Sequence, residues 1–153
     1  MACPFFMPME KLENGSWQHT SRLPLGGGWS GHCTAPGHEN TVPSPDDLRE
    51  YCNLGYASNC GRLPQERAWD SIRFGARTVL AEEKTLTGGQ IQIRYVCERD
   101  HLPVEHGTLK FDAVAACWEL KHSDNRLQRM AECYLASYVE KRKKREVNPA
   151  LAS

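Results

Sequence analysis

The chain has 153 residues, which is enough for one domain with a single hydrophobic core. Its hydrophobic content of 40% and charged content of 25% are typical of a soluble globular protein and exclude a disordered or fibrous chain. The 19 Lys and Arg residues balance the 19 Asp and Glu residues, and this zero net charge argues against nucleic acid as a partner.

The sequence offers no membrane segment. No apolar run approaches the roughly 20 residues that span a bilayer, and the N-terminal apolar patch has no basic residues before it, so neither a membrane anchor nor a signal peptide is expected. A cytoplasmic location follows as an expectation. The seven cysteines are an odd number, and in a reducing compartment they point to metal binding, redox chemistry or buried packing rather than disulfides.

Residues 1–62 are predicted to be rich in loops, because they hold eight of the 12 glycines and six of the nine prolines. One short helix is expected at SPDDLREYCNLG, where Ser44 is suited to cap the N-terminus and a proline follows it. Gly55 would end this helix. Cys52 would then lie in its last turn, and Cys60 in the loop beyond it.

Four cysteines fall in this half, namely Cys3, Cys33, Cys52 and Cys60. Four thiolates are a complete ligand set for tetrahedral zinc or for an iron–sulfur cluster. The segment has little apolar surface to bury, although ordering it costs about 1–2 kcal/mol per residue in backbone entropy. A metal that cross-links the loops would offset that cost, so we expect a metal centre here.

The spacing of these four cysteines favours a cluster over zinc. Structural zinc sites usually pair ligands about two residues apart, whereas 29, 18 and 7 residues separate the successive cysteines here. A four-iron cluster is wider than one ion, and glycine N–H groups could donate to its sulfides. We therefore predict a [4Fe–4S] cluster, with zinc as the alternative. His32 or His38, on either side of Cys33, could replace a cysteine ligand.

The surroundings of the predicted cluster suggest how it would be used. Tyr56 and the segment 26–31, which is rich in Gly and Trp, are expected to shield it from water. Because Cys3 lies near the N-terminus, its arm is expected to detach readily. A labile cluster favours sensing of redox state, oxygen or nitric oxide over robust electron transfer.

The chain from 63 to 122 is predicted to form a small antiparallel sheet. LPQERAWDSIRF is expected to be a short helix that runs into a strand, and ARTVLAEE reads as strand. QIQIRYVCE alternates apolar and polar residues, which predicts a half-buried strand. RDHLPVEHG is interpreted as a loop or hairpin connection, and TLKFDAVAACWEL as the next strand, whose end could be helical.

An amphipathic helix is predicted over residues 124–145. Asp124 is a suitable cap, and apolar residues recur at helical spacing from Leu127 to Val139. The basic run KRKKR is expected to solvate the helix end and offset its dipole, and contact with nucleic acid or acidic lipid is the alternative. Residues 146–153 are expected to be a frayed tail.

The remaining cysteines are interpreted as structural. Cys97 lies on the apolar side of its strand, and Cys117 lies between alanine and tryptophan, so both are expected to be buried. Cys133 falls away from the apolar stripe of the last helix and is expected to be an exposed thiol or part of a second contact surface.

His101 and His106 each stand next to an acidic residue in DHLPVEH, and an acid can orient an imidazole for metal or base chemistry. This leaves a small metalloenzyme that uses His101 or His106 as a further alternative. It requires a concave pocket that joins one of these histidines to the metal.

The sequence as a whole predicts a single α+β domain over residues 1–153. Residues 1–62 form a loop-rich metal-binding part, residues 63–145 a small antiparallel sheet with the amphipathic helix, and residues 146–153 the tail. The expected function is that of an iron–sulfur protein in electron transfer or in redox or gas sensing, with a redox or regulatory protein as partner. A structural zinc-binding interaction module is the alternative.

Overall fold

The computed structural model of the chain describes residues 1–13, 23–54, 59–80 and 89–148. Its elements in chain order are β1 (Phe6–Lys11), β2 (Trp29–Cys33), α1 (Pro45–Asp47), a π-helical turn (Leu48–Cys52), β3 (Ser71–Leu80), β4 (Gly89–Arg99), β5 (Leu102–Asp112), β6 (Cys117–Leu120) and α2 (Asn125–Val147). The fold is α+β, with two antiparallel sheets and a C-terminal helix.

The larger sheet has four antiparallel strands in the order β3-β4-β5-β6. The alternation predicted for β4 is confirmed, because Ile91, Ile93 and Cys97 are buried on one side of the strand. The predicted helix before β3 is wrong, since residues 61–70 form turns and bends up to the first residue of the strand.

β4 and β5 form a tight hairpin. Only Asp100 and His101 lie between the paired ends Arg99 and Leu102, and both have positive φ angles, of 52° and 64°. Two residues of this kind match the right-handed twist of the strands, as in type I′ turns. The stretch from 102 to 107 is therefore strand rather than loop. The end of TLKFDAVAACWEL is also strand, because a turn at 113–116 leads into β6.

Helix α2 begins at the predicted cap. The side chain of Asp124 accepts hydrogen bonds from the backbone N–H groups of Arg126 and Leu127, at 2.9 and 3.3 Å. The helix extends two residues beyond the predicted end, to Val147. Its buried side contacts both β1 and β3, where Tyr134 stacks on Phe74 with ring centroids 5.8 Å apart.

The two sheets and α2 share one core. Its largest fully buried side chains include Phe6 from β1, Ile72 from β3, Ile93 from β4, and Leu127 and Met130 from α2. The front of the chain therefore contributes apolar groups to the core that holds the rest.

The N-terminal half has more regular structure than its composition predicts. β1 and β2 pair as an antiparallel hairpin, with a bulge between Pro8 and Glu10. Met9 lies at this bulge, between Pro8 and Glu10, and its carbonyl oxygen accepts a hydrogen bond from Arg129 of α2. Glycine and proline in this half therefore accompany a small sheet, not loops alone.

The short helix predicted after Ser44 is present. The Ser44 hydroxyl accepts from the backbone N–H of Asp47 at 3.1 Å, and Pro45 occupies the first helical position. The helix widens into the π-helical turn, which ends at Cys52. The predicted end at Gly55 lies outside the described residues.

None of the described helices is both long and apolar enough to cross a membrane.

Candidate metal centre

The four cysteines singled out in the sequence surround one small cavity. Cys3, Cys33, Cys52 and Cys60 all line it, although they come from four separate parts of the N-terminal half. Each of the four carries a free thiol in this structure. The fold thus brings together the residues whose chemistry predicts a metal centre.

Each cysteine is positioned by a different local structure. Cys33 ends β2, and its N–H donates to the carbonyl of Thr41 at 2.8 Å. Cys52 ends the π-helical turn. Cys60 begins a turn that is closed by a hydrogen bond from the Leu63 N–H to its carbonyl, at 3.2 Å.

Cys3 is held firmly, contrary to the expectation of a loose N-terminal arm. Ala2 is fully buried and forms an antiparallel bridge with Ile72, in which each N–H donates to the other carbonyl at 2.7 and 2.9 Å. The Cys3 N–H also donates to the carbonyl of Cys52. The first residues are therefore an extension of the large sheet, and a readily detached arm no longer argues for sensing.

Burial keeps the thiols of Cys3 and Cys52 protonated. It raises the pKa of Cys3 to about 11, an effect to which the neighbouring thiols of Cys33 and Cys60 add. The pKa of Cys52 is also raised, first by burial and then by Cys3, Cys60 and Cys33. A cation would replace these protons, since metals bind the thiolate form.

The backbone and the walls suit thiolate ligands. The Ala35 N–H donates to the sulfur of Cys33 at 3.4 Å, and the nearby backbone of Phe5 and Phe6 partly offsets the rise in the pKa of Cys3. Such hydrogen bonds stabilise negative charge on sulfur and tune a bound metal. The apolar side chains of Pro43 and Leu63 help to line the cavity and reduce the access of water.

One cation stands at the cavity. Arg62 lines it and forms an ion pair with Asp47 of α1, with 3.2 Å between its Nη1 and the carboxylate oxygen. The pKa of Arg62 is raised, first by the hydrogen bond to Asp47 and further by Cys60 and Cys33. A guanidinium here would partly balance the charge of four thiolates.

Two geometric features bear on which metal the cavity suits. The volume enclosed is about 20 Å³, close to that of one water molecule. Among residues 1–13, 23–54, 59–80 and 89–148, no three His, Cys, Asp or Glu side chains converge as ligands of a single ion. The four thiols therefore line one cavity, but in this arrangement the described residues do not form a preorganised metal site.

The histidines do not join this cavity. The residues that line it include none of His32, His38, His101 or His106. His106 lines a separate groove on the large sheet, which contains no cysteine. A pocket that joins the metal to His101 or His106 is thus absent from the described cavities, and the metalloenzyme alternative gains no support.

Of the two groups expected to shield the cysteines, only segment 26–31 can be compared with the cavity lining. Tyr56 lies outside the described residues. Segment 26–31 does not line the cavity, because Gly26 lies against Ser137 of α2 and the N–H of Trp29 bonds to Asn53. The shielding comes instead from the residues around Phe5, Tyr51 and Leu63.

Asn53 is a residue that the sequence analysis missed. It is fully buried directly after Cys52 and donates to the carbonyls of Trp29 and Leu48 at 2.9 and 3.1 Å, while its Oδ1 accepts from the Trp29 N–H at 3.0 Å. It thereby joins β2, which carries Cys33, to the π-helical turn, which carries Cys52. No pattern in the sequence distinguishes it from a surface asparagine.

A second group that the sequence analysis missed is centred on His122, on the side of the large sheet that faces α2. His122 Nε2 and Glu105 Oε2 are 2.8 Å apart, and His122 Nδ1 accepts from the Asp124 N–H at 2.9 Å. Because Nδ1 is an acceptor, the ring proton is on Nε2 and is donated to Glu105. Tyr95 and Trp69 meet the imidazole edge-on. This arrangement fixes the start of α2 against β5.

The burial of the other three cysteines agrees only in part with the expectation. Cys97 is fully buried, as predicted. Cys117 is exposed rather than buried, because it begins β6, a short strand at the sheet edge. Cys133 is buried, which excludes the exposed thiol and agrees with the alternative of a second contact surface, because α2 contacts both β1 and β3.

No family model, curated protein or solved structure matches this chain.

Proposed function

We propose that the chain binds a [4Fe–4S] cluster through Cys3, Cys33, Cys52 and Cys60 and acts in electron transfer or in redox or gas sensing. The observation that carries the proposal is that these four thiols, far apart in sequence, line one cavity. Thiolates are the usual ligands of such clusters, and four of them complete the set. The proposal is of an iron–sulfur protein, not of an enzyme with a known substrate.

The chain's own residues would prepare the ligands. The sulfur of Cys33 accepts a hydrogen bond from the Ala35 N–H, at 3.4 Å. Hydrogen bonds to sulfur, together with solvent exposure, set the potential of a cluster. When bound, the cluster would supply one-electron redox chemistry. Arg62 would lower the net negative charge around it, and so favour the reduced state.

Structural zinc is the second candidate, and one observation favours it. The enclosed volume of about 20 Å³ is nearer to the size of a single ion than to that of a four-iron cluster. The lack of three converging ligands among the described residues weighs against it. In that case the chain would be an interaction module rather than a redox protein.

Metal analysis of protein purified without oxygen tests both candidates. A cluster predicts about four iron and four acid-labile sulfide per chain, a brown colour and broad absorbance near about 400 nm. One zinc per chain and no colour would show that the site binds structural zinc instead of a cluster. Protein that holds neither metal after anaerobic reconstitution would contradict both candidates.

Two chemical treatments of the protein distinguish electron transfer from sensing. The protein is treated anaerobically with dithionite, and separately with oxygen or nitric oxide, while absorbance and iron content are followed. Reversible bleaching by the reductant with retention of iron supports electron transfer. Stoichiometric loss or conversion of the cluster by one gas supports sensing.

A further inference from the structure

The outer face of the large sheet concentrates positive charge. The central part of this face, on the side turned away from α2, is formed by alternate residues of 73–77, 92–96 and 106–110, which stand in register in three rows of three, and Glu98 and Asp112 lie in the rows beyond them. Five of the nine positions carry basic side chains and none is acidic. The basic residues are Arg73, Arg77, Arg94, His106 and Lys110.

Most of this charge is not neutralised. Arg94 and Lys110 form no ion pair or hydrogen bond with any other described residue, and Arg77 bonds only to the neutral Gln92, at 2.8 Å. Arg73 lies 3.5 Å from Glu98, which flanks the face. Since the whole chain has zero net charge, the fold collects on one face a charge that composition does not reveal.

The shape of the face is a shallow groove. Arg94 stands at the centre of the middle row, between Gly75 and Thr108. A side chain at Gly75 would meet nothing within 4 Å, so the groove is open there. Its volume is about 420 Å³, and Arg73, Arg94 and His106 line it. The central guanidinium is thus accessible from both sides.

The basic end of α2 extends this surface around the sheet edge. β3 is an edge strand, and Arg142 of α2 donates to the hydroxyl of Thr78, next to Arg77, at 2.7 Å. Arg142 belongs to the basic run 141–145. Like charge is concentrated there: the pKa of Lys141 is lowered, first by burial and then by Lys11 and Arg145.

We propose that the outer face, together with the basic end of α2, binds the phosphodiester backbone of nucleic acid without reading its sequence. The basic residues of β3 and of β5 are four residues apart, or about 13 Å along each strand, and Arg94 stands between the two pairs on β4, with neighbouring strands about 4.8 Å apart. Such a grid can neutralise several phosphates of one strand, and guanidinium groups match phosphate geometry. This inference does not depend on which metal the cysteines bind.

The composition of the face favours nucleic acid over a protein partner. A stable protein interface buries about 800 Å² per partner around an apolar centre. Among the nine positions only Val96 is a large apolar residue, and the centre is Arg94. The nine positions hold no Tyr, Trp or Phe on which bases could stack, so the contacts are to the backbone rather than to the bases.

Fluorescence anisotropy with the full chain tests the proposal. The probes are a labelled 20-base single strand and its duplex, each titrated from 50 to 300 mM salt. We expect binding at low salt that weakens as salt rises, because each phosphate contact releases counterions. The double variant R77Q/R94Q should bind at least tenfold more weakly, with a salt slope smaller by about 2. The affinity of the single variant R94Q should lie between that of the unchanged chain and that of R77Q/R94Q.

Lys121→Gln is the matched control, because it removes the same charge from an exposed residue that follows β6 at the opposite edge of the sheet. It should bind within about twofold of the unchanged chain, and all variants should melt as the unchanged chain does. Three outcomes would overturn the proposal: no binding at 50 mM salt, equal binding by R77Q/R94Q, or displacement by polyglutamate at equal charge concentration. The last would identify an acidic protein as the partner instead.

Discussion

The backbone N–H of Cys3 donates a hydrogen bond to the carbonyl oxygen of Cys52 at 3.2 Å. This bond joins the first residues of the chain to the end of the π-helical turn. Two of the four thiols at the cavity are therefore fixed relative to each other by backbone, not by side chains alone. Cys3 and Cys52 also have raised pKa values, chiefly because both are buried.

Replacing Cys52 by serine should abolish binding of the proposed cluster. A serine hydroxyl is not ionised at neutral pH and is a poor ligand for iron or zinc. We expect the iron content of Cys52→Ser to fall from about four per chain to below about one. Its N-terminal half should also be cleaved faster by protease, because metal binding and folding are coupled.

Two other cysteines serve as controls for that experiment. Cys97→Ser should keep its iron but lose about 1–3 kcal/mol of unfolding free energy, since it places a hydroxyl in a fully buried position. Cys117→Ser, at an exposed position, should change neither quantity. Full iron content in Cys52→Ser would contradict the ligand assignment.

Replacing Asn53 by alanine should destabilise the structure around the cavity. The change leaves the N–H and carbonyl of Trp29 without their partner in a buried position. Each buried group that loses its hydrogen bond costs about 1–3 kcal/mol, so we expect a loss of about 3 kcal/mol in chemical denaturation. Asn125→Ala, at an exposed position in α2, should cost less than about 0.5 kcal/mol. Equal losses in the two variants would show that Asn53 has no bridging role.

A methyl group at Gly31 should separate β1 from β2. A Cβ there would lie 2.0 Å from the carbonyl oxygen of Met7 and 3.0 Å from the Phe6 ring. Overpacking against backbone costs about 1–3 kcal/mol or more, and we expect Gly31→Ala to lower the melting temperature accordingly.

Gly75→Ala is the control for this prediction. A Cβ at Gly75 meets nothing within 4 Å, and alanine restricts the unfolded chain more than glycine does. The melting temperature should therefore stay the same or rise slightly. A melting temperature of Gly31→Ala equal to that of Gly75→Ala would refute the close approach of β1 and β2.

The cap at Asp124 should make helix stability depend on pH in the acid range. Burial alone would raise the pKa of Asp124, but Arg126 and the N–H groups of Arg126 and Leu127 outweigh it and hold the pKa below its ordinary value. The stabilisation is therefore complete above the unfolded pKa of about 3.9 and is lost as the pH falls below it.

Asp124→Ala should cost about 1 kcal/mol at pH 7, and its difference from the unchanged chain should shrink below about pH 4. Asp124→Asn retains a good cap but lacks this pH dependence. Helix unfolding followed by circular dichroism at each pH measures both variants. A constant difference between Asp124→Ala and the unchanged chain down to pH 2 would contradict the assignment.

The sequence predicts the parts of this fold that depend on local chemistry. Ser44 and Asp124 act as caps because their side-chain oxygens accept from nearby N–H groups. The buried side of β4 follows from strict alternation. The grouping of four cysteines was inferred from ligand chemistry, and the structure brings those four to one cavity.

Long-range pairing is what the sequence does not contain. The pairing of β1 with β2 is not predicted, because the glycines and prolines of this half indicate loops. Gly31 is nevertheless needed for the close approach of the two strands. The bridge between Ala2 and Ile72 has no local signal at all. The basic outer face emerges only from the register of β3, β4 and β5, which places Arg77, Arg94 and Lys110 on one side.

Arg129 of α2 donates to the carbonyls of Pro8 and Met9, at 2.9 and 2.8 Å, and so ties the last helix to the first strand. Translation delivers the four cysteines early and this arginine late. The tie between β1 and α2 can therefore form only after α2 has left the ribosome, so the first strand of the chain is among the last to gain its full set of contacts.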